Sequence, residues 1–79
     1  MRTAIDEILD FVTSSPTLEQ ILIFDYSEET IERVVYLKER REAATISSEE
    51  LEELREFERG AAFMKELKIR AARRIDKEV

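Results

Sequence analysis

The chain has 79 residues, of which 41% are charged and 43% hydrophobic, and it contains one Gly and one Pro. This composition is typical of a small helical domain rich in Glu, Leu, Ala, Lys and Arg. Because the chain has neither Cys nor His, disulfides are excluded and a typical zinc site is not expected. The net charge of −6 disfavours nonspecific binding of nucleic acid by the whole molecule.

A chain of this length is expected to form one domain with a modest core, because it buries only roughly 60–65% of its unfolded surface. Oligomerisation or a protein partner is therefore the expected source of additional stability. The segment after Met1 is acidic and amphipathic rather than continuously apolar, so no signal peptide is expected. No apolar run reaches membrane-spanning length, and the chain is predicted to be a cytoplasmic protein.

The first predicted helix covers residues 4–13. Four apolar residues recur there at helical spacing: Ile5, Ile8, Leu9 and Val12. Acidic residues in the first turn favour a helix N-terminus, and Thr3 with Asp6 resembles a capping box.

The second predicted helix is short, from residue 16 to about residue 22. Ser15 is the expected N-cap, because Pro16 suits the first helical position. The run 18–24 is the most apolar of the chain, and we expect it to form the centre of the core. After it we favour an extended connector over an edge strand, because the sequence offers no second strand to pair with it.

The last two predicted helices cover residues 28–43 and 48–77. Four residues form the predicted buried face of the earlier one: Ile31, Val34, Val35 and Leu37. Ser47 and Glu50 form the clearest capping box of the chain, at the start of the later one. The later helix has a coiled-coil-like seam with these members: Leu54, Phe57, Ala61, Met64, Lys68, Ala71 and Ile75. Gly60 either permits a close helix approach or marks a bend.

The last helix is longer than a compact body of this size can cover. Residues 48–78 as one helix extend about 46 Å, whereas a compact domain of this length has a diameter of about 30 Å. The preceding antiparallel helix covers it only to about Phe63. We predict an all-α fold, residues 1–79, with two short N-terminal helices packed on an antiparallel helical hairpin whose C-terminal helix is long.

No pattern of catalytic, cofactor-binding or metal-ligating residues is found. The Glu residues between positions 49 and 58 fan around one helix instead of converging on an ion, and they suit a helix N-terminus electrostatically. The Ser residues stand where caps are needed, and the chain has no His to activate one of them. The chain is therefore predicted not to be an enzyme and to use no cofactor or metal.

The segment beyond Phe63 combines apolar residues with basic ones. Either the first helix folds back over part of it, or it pairs with a second copy or another protein, and self-association is the first expectation. Basic residues also suit a helix C-terminus, but hydrophobic anchors among arginines are typical of protein-binding surfaces. No aromatic residue interleaves with these charges, which argues against stacking of single-stranded nucleic acid. The predicted protein-binding residues are Phe63, Met64, Leu67, Ile69, Arg70, Arg73 and Arg74.

Segments along nearly the whole chain carry a resemblance to a known family: Ile5–Phe11, Ser15–Pro16, Glu19–Phe24, Ser27–Glu29, Ser48–Leu54 and Leu67–Arg74. The chain resembles a family of small helical proteins from cyanobacteria and other bacteria, similar to antitoxins in size and acidity and often encoded beside an HNH-type nuclease. The resemblance implies that this protein binds a neighbouring nuclease and restrains or assists it. The family often has glycine in the turn before the last helix, where this chain has Ala43-Ala44-Thr45.

Together these features predict a non-enzymatic protein–protein interaction module, antitoxin-like, that binds a partner nuclease or itself through the basic, apolar end of the last helix. The alternative is a homodimeric structural or scaffold protein with no toxin–antitoxin role. A less favoured alternative is an accessory factor that binds nucleic acid through the basic arm.

Overall fold

The amphipathic segments of the sequence are helical in a computed structural model that describes residues 3–78, with side chains described as far as Lys77. This part of the chain contains no strand and four helices: α1 (Ala4–Thr13), α2 (Leu18–Leu22), α3 (Glu28–Glu42) and α4 (Ser48–Glu78). The predicted all-α fold with a long C-terminal helix is confirmed. The predicted domain, 1–79, also includes residues 1, 2 and 79, which lie outside the described part.

Reciprocal capping boxes start both α1 and α4. The Thr3 N–H donates to Asp6 Oδ2 at 3.0 Å, and the Asp6 N–H donates to Thr3 Oγ1 at 3.2 Å. Ser47 and Glu50 exchange the equivalent bonds at 3.0 and 3.1 Å. These bonds satisfy N–H groups that have no acceptor within the helix, which is why the sequence signals locate both helix starts.

The predicted N-cap of α2 is wrong. Thr17, not Ser15, caps the helix, and it forms a capping box with Gln20. Ser15 instead closes α1: its φ is 57°, and its N–H donates to the Val12 carbonyl at 3.4 Å. The capping box satisfies two backbone N–H groups, whereas Pro16 at the first helical position satisfies none.

Helix α3 ends in a Schellman motif. The Ala44 N–H donates to the Arg41 carbonyl at 3.1 Å, and the Thr45 N–H donates to the Arg40 carbonyl at 2.9 Å. Ala44 has a φ of 58°, in the left-handed region that glycine adopts most readily.

The centre of the core lies between α3 and α4. It consists of Val34, Leu37 and Leu54, against which Ile46 and Phe57 pack. Leu37 and Leu54 are the largest fully buried side chains among the described residues. The two helices are therefore joined mainly through the first half of α4.

Two predictions about burial are wrong. The run 18–24 contains no fully buried residue, and Ile23 is 80% exposed, because the five-residue helix α2 can turn only one side toward α4. In α3, Ile31 and Val35 are exposed. At 100° per residue they point about 90° or more away from the Val34–Leu37 direction.

Helices α1 and α2 also pack on α4, and α1 contacts it at Gly60. Ile8 of α1 is buried, as are Met64 and Ala71 in the second half of α4. Lys68, which interrupts the apolar seam, donates from Nζ to the carbonyl of Phe24 at 2.8 Å. One side of the basic half of α4 is therefore covered from within the chain.

Gly60 allows α1 to approach α4 closely. Helix α4 is continuous through this residue. A Cβ at Gly60 would lie 2.8 Å from Ile8 Cδ1 and 3.2 Å from Ile5 Cδ1, which is shorter than an ordinary contact between carbon atoms. Close approach, rather than a bend, is the role that the structure shows.

A row of four aromatic rings connects the N-terminal segment with the first half of α4. The ring centroids are 4.6 Å apart for Phe11 and Phe24, and 5.3 Å apart for Phe24 and Tyr26. Those of Tyr26 and Phe57 are 5.0 Å apart. All three distances lie in the range of favourable aromatic pairs.

The long α4 makes the molecule elongated, with extents of 50 × 22 × 17 Å and a radius of gyration of 14.7 Å. A compact chain of this length has a radius of gyration of about 12 Å. None of the helices in the described residues combines the length and the apolar composition needed to cross a membrane.

Candidate protein-binding surface on the last helix

The seven residues predicted to bind a partner do not share one face of α4. Met64 is 3% exposed and packs inside the protein, so it belongs to no surface. Phe63 and Ile69 are exposed, but they are six residues apart, which separates them by about 120° around the helix. Leu67 is half-buried. Three arginines are exposed: Arg70, Arg73 and Arg74.

Phe63, Leu67, Arg70 and Arg74 lie along one line of α4, because spacings of three and four residues return to the same side of a helix. The line continues toward the N-terminus of α4, and we call it the Phe63 stripe. Its members are Glu49, Glu52, Glu56, Arg59, Phe63, Leu67, Arg70, Arg74 and Lys77. All of them except Leu67 are exposed. The acidic members occupy the N-terminal end of the stripe, and most of the basic ones occupy the C-terminal end.

The protein's own helices occupy the neighbouring side of α4 and leave the stripe open. Leu54, Met64 and Ala71 are buried on that side. Phe63 directly precedes Met64 in the sequence and is therefore rotated by about 100° from it around the helix. The Phe63 side chain is 51% exposed, although aromatic side chains are usually buried for most of their area.

The charged residues of the stripe are only weakly engaged within the chain. Arg59 contacts Glu52 at 3.3 Å, and Arg70 contacts Glu66 at 3.1 Å, with more than half of each of these side chains exposed. Exposed ion pairs of this kind contribute about 0–1 kcal/mol. Four further members form no ion pair with another described residue: Glu49, Glu56, Arg74 and Lys77. Their charges remain available to a partner.

Ile69 and Arg73 lie four residues apart on a different side of α4. Ile69 borders a small hollow of about 390 Å³ with Phe24, Tyr26 and Lys68 among its other lining residues. The structure therefore brings four of the predicted residues together in the stripe and separates Met64, Ile69 and Arg73 from them.

An acidic groove between α1, α3 and α4 was not found from the sequence. Its volume is about 820 Å³, and among the described residues its lining contains one basic residue, Arg33. Five apolar residues line it: Ala4, Ile5, Val34, Leu37 and Phe57. Five acidic residues also line it: Glu7, Glu28, Glu29, Glu53 and Glu56. The lining comes from three helices far apart in the sequence, so no local pattern marks the groove.

The groove is acidic in effect as well as in composition. Arg33 donates two hydrogen bonds to Glu53, at 2.8 and 3.0 Å, and this contact raises the pKa of Arg33. The arginine therefore neutralises Glu53, whereas three further carboxylates of the lining form no ion pair with another described residue: Glu28, Glu29 and Glu56. Glu56 belongs both to the groove and to the Phe63 stripe, so the two features adjoin.

Two perturbed groups elsewhere have structural causes. Burial, with the nearby Glu7 and Asp25 carboxylates, raises the pKa of Tyr26. The hydrogen bond from the Ser47 N–H lowers the pKa of Glu50. Among the described residues, no group of three acidic side chains is arranged to hold a metal ion.

Comparison with known proteins gives no relative of this chain. No family model matches it, and no curated protein or solved structure matches it either.

Proposed function

We propose that the protein is a non-enzymatic protein–protein interaction module that acts in the cytoplasm and binds its partner through the Phe63 stripe. The observation that supports this most directly is the half-exposed Phe63 on the side of α4 that no other helix covers. An aromatic anchor flanked by arginines, here Arg70 and Arg74, is the composition of binding hot spots. The charges without an intrachain pair increase the rate of encounter with a complementary surface.

The proposed partner is an HNH-type nuclease encoded beside the protein, which the protein restrains or assists in the manner of an antitoxin. The resemblance of its segments between residues 5 and 74 to a family often encoded beside such nucleases supports this choice. The net charge of −6 also favours association with a basic protein. A nuclease fits this requirement, because the surface that binds the phosphates of its substrate is basic.

Binding and nuclease assays with the purified product of the neighbouring gene test this proposal. Wild-type protein is expected to bind and to change the nuclease activity. Phe63→Ser is expected to weaken binding by about 30-fold, the effect of losing a hot-spot anchor. Val35→Ser is the matched control, because Val35 is 49% exposed but lies on α3. A Phe63→Ser variant that binds as tightly as wild type contradicts the proposed surface.

The second candidate function is a homodimeric scaffold without a nuclease partner. The opposite charges at the two ends of the Phe63 stripe favour it, because an antiparallel arrangement of two copies brings them together. Light scattering at high protein concentration distinguishes this candidate, since a strict monomer excludes it.

A further inference from the structure

We propose that the Phe63 stripe is self-complementary, so that two copies of the protein pair with their α4 helices antiparallel and Phe63 at the two-fold axis. This inference rests on the proposed function, because it uses the same surface, and it develops the second candidate function: a second copy of the chain competes with the nuclease for the Phe63 stripe. The arrangement is isologous and closed: each copy contributes the same stripe, and no binding surface remains open at either end.

Opposite charges lie at equal distances on the two sides of Phe63. Three of the four equidistant pairs of stripe members are oppositely charged: Glu56 and Arg70 at seven residues, Glu52 and Arg74 at eleven, and Glu49 and Lys77 at fourteen. In the fourth pair, at four residues, Arg59 faces the apolar Leu67. In an antiparallel pair centred on Phe63, each of these carboxylates faces the matching cation of the second copy. Both halves of the interface are therefore complementary, with the aromatic residue in the middle.

Other arrangements of two copies do not have this complementarity. A parallel pair sets each charge opposite the same charge of the second copy, which is repulsive. A head-to-tail pair satisfies the basic end of one stripe but leaves the basic end of the other exposed, and such contacts propagate into open chains. The charge pattern thus selects the antiparallel two-fold arrangement.

The exposed side of α4 that lies about 100° from the stripe lacks the pattern, so an acidic start and a basic end do not produce it by themselves. On that side Ala62 takes the place of Phe63. At seven residues from Ala62, Arg55 faces Ile69, and at eleven residues Leu51 faces Arg73. No carboxylate meets a cation at either spacing.

The acidic groove provides a second, independent attraction for the same arrangement. In the antiparallel pair, the basic end of the second copy lies along residues 49–56, at the edge of the groove that Glu56 lines. The groove also contains Glu28 and Glu29, which form no ion pair with another described residue. The intrachain pair of Arg70 with Glu66 competes only weakly, since both side chains are more than half exposed.

Reversal of charge tests the register of the dimer. Arg70→Glu/Arg74→Glu makes both ends of the stripe acidic, and Glu52→Arg/Glu56→Arg makes both ends basic. Each double variant alone is expected to be monomeric by analytical ultracentrifugation at low salt. An equimolar mixture is expected to form a one-to-one heterodimer, because every reversed residue then faces an opposite charge. Arg73→Glu is the matched control, and it is expected to dimerise like wild type.

Cysteine cross-linking tests the axis without changing any charge. The chain has no Cys, so Phe63→Cys introduces a single thiol at the proposed axis, within reach of its copy. Under mild oxidation this variant is expected to form a disulfide-linked dimer. Val35→Cys and Ala62→Cys are expected to remain unlinked under the same conditions. Equal cross-linking of all three variants overturns the proposed axis.

The outcomes separate this inference from the proposed function. Wild-type protein that stays monomeric at low salt, or charge variants that fail to recover in the mixture while circular dichroism shows them folded, overturn the dimer. If the basic double variant does not fold, loss of dimerisation in Arg70→Glu/Arg74→Glu but not in Arg73→Glu remains the deciding comparison. A monomer that binds the nuclease through Phe63 refutes the dimer alone. A protein that dimerises, but does not bind the nuclease even at concentrations at which it is monomeric, refutes the nuclease partner alone.

Discussion

The carboxylate of Glu7 in α1 accepts a hydrogen bond of 2.8 Å from the backbone N–H of Ser27, the N-cap residue of α3. It also accepts from the hydroxyl of Ser27 at 3.3 Å and from the hydroxyl of Thr30. One helix thus supplies an anionic cap to the start of another, where the helix dipole favours negative charge. This contact fixes the position of α1 relative to α3 at the acidic groove.

Replacement of Glu7 is expected to destabilise the fold. Glu7→Ala should lower the free energy of unfolding by about 1–3 kcal/mol, because it removes the charged acceptor of the hydrogen bonds from Ser27 and Thr30. Glu7→Gln should cost less, since its amide oxygen still accepts. Urea denaturation measures both, with Glu32→Ala on the exposed side of α3 as the control. Equal effects of Glu7→Ala and Glu32→Ala contradict the role of Glu7 as a cap.

Lys68 is expected to stabilise the protein through its bond to the Phe24 carbonyl. Lys68→Met keeps a long side chain but leaves this carbonyl without its donor, so we expect a loss of about 1.5–3 kcal/mol. Lys65→Met is the matched control, because Lys65 is exposed on the same helix and should change stability by less than about 0.5 kcal/mol. Thermal denaturation of the two variants decides whether the bond matters.

The contact between Gly60 and Ile8 predicts a strong coupling between two substitutions. Gly60→Ala improves helix propensity by about 1 kcal/mol, but its Cβ would lie 2.8 Å from Ile8 Cδ1, so repacking offsets the gain. Ile8→Val removes that Cδ1 atom and alone should cost about 0.5–1.5 kcal/mol. The double variant is expected to be more stable than the sum of the two single effects, by at least about 0.5 kcal/mol. A strictly additive cycle is evidence against the close approach.

Glycine at position 44 is expected to make the protein more stable than Ala44 does. A non-glycine residue in the left-handed region lowers the stability by about 1–2 kcal/mol. Glycine avoids this cost, but it increases the entropy of the unfolded chain, which lowers the stability by about 0.4–1 kcal/mol. Ala44→Gly is therefore expected to stabilise the protein by about 0.5–1 kcal/mol. The neighbouring Ala43 has a φ of −79°, so Ala43→Gly should destabilise it instead. Opposite shifts in the denaturation midpoint are the expected signature of the Schellman turn.

The raised pKa of Tyr26 predicts that the protein loses stability in alkaline solution. Burial raises its pKa above the ordinary value of 10.0, so the folded state disfavours the phenolate. The resulting stabilisation is complete below pH 10.0 and is lost as the pH rises from there through the folded-state pKa. Phenolate absorbance of the Tyr36→Phe variant, folded and in urea, should show the shift directly. The stability difference between wild type and Tyr26→Phe should change over the same alkaline range and stay constant below it.

The helix boundaries were largely predictable because they depend on neighbouring residues. The boxes at Thr3 and Ser47 start α1 and α4 where the sequence predicts. The prediction at Ser15 is wrong because Thr17 and Gln20 satisfy two backbone N–H groups at the start of α2, whereas Pro16 at the first helical position satisfies none. Burial was less predictable. The hydrophobicity of Ile23 does not reveal that a helix as short as α2 can turn only one side toward α4.

The candidate surface was predictable in its segment but not in its face. The apolar and basic residues beyond Phe63 indicate the segment of the candidate surface. Within that segment, Met64 is buried and Phe63 is exposed only because the other helices pack on one side of α4 and not on the other. That side depends on where α1 packs, and the contact at Gly60 is made with residues near the opposite end of the chain. The acidic groove depends on three helices at once, so it was outside the reach of any local pattern.

The row of rings from Phe11 to Phe57 has a spectroscopic consequence. The chain contains no Trp and two Tyr residues, and Tyr26 lies in the middle of this row, while Tyr36 lies on α3 beside two arginines. A tyrosine held between other rings gives near-ultraviolet circular dichroism only while its surroundings are fixed. The dichroic signal of Tyr26 therefore reports whether the N-terminal helices remain docked on α4, without any added label.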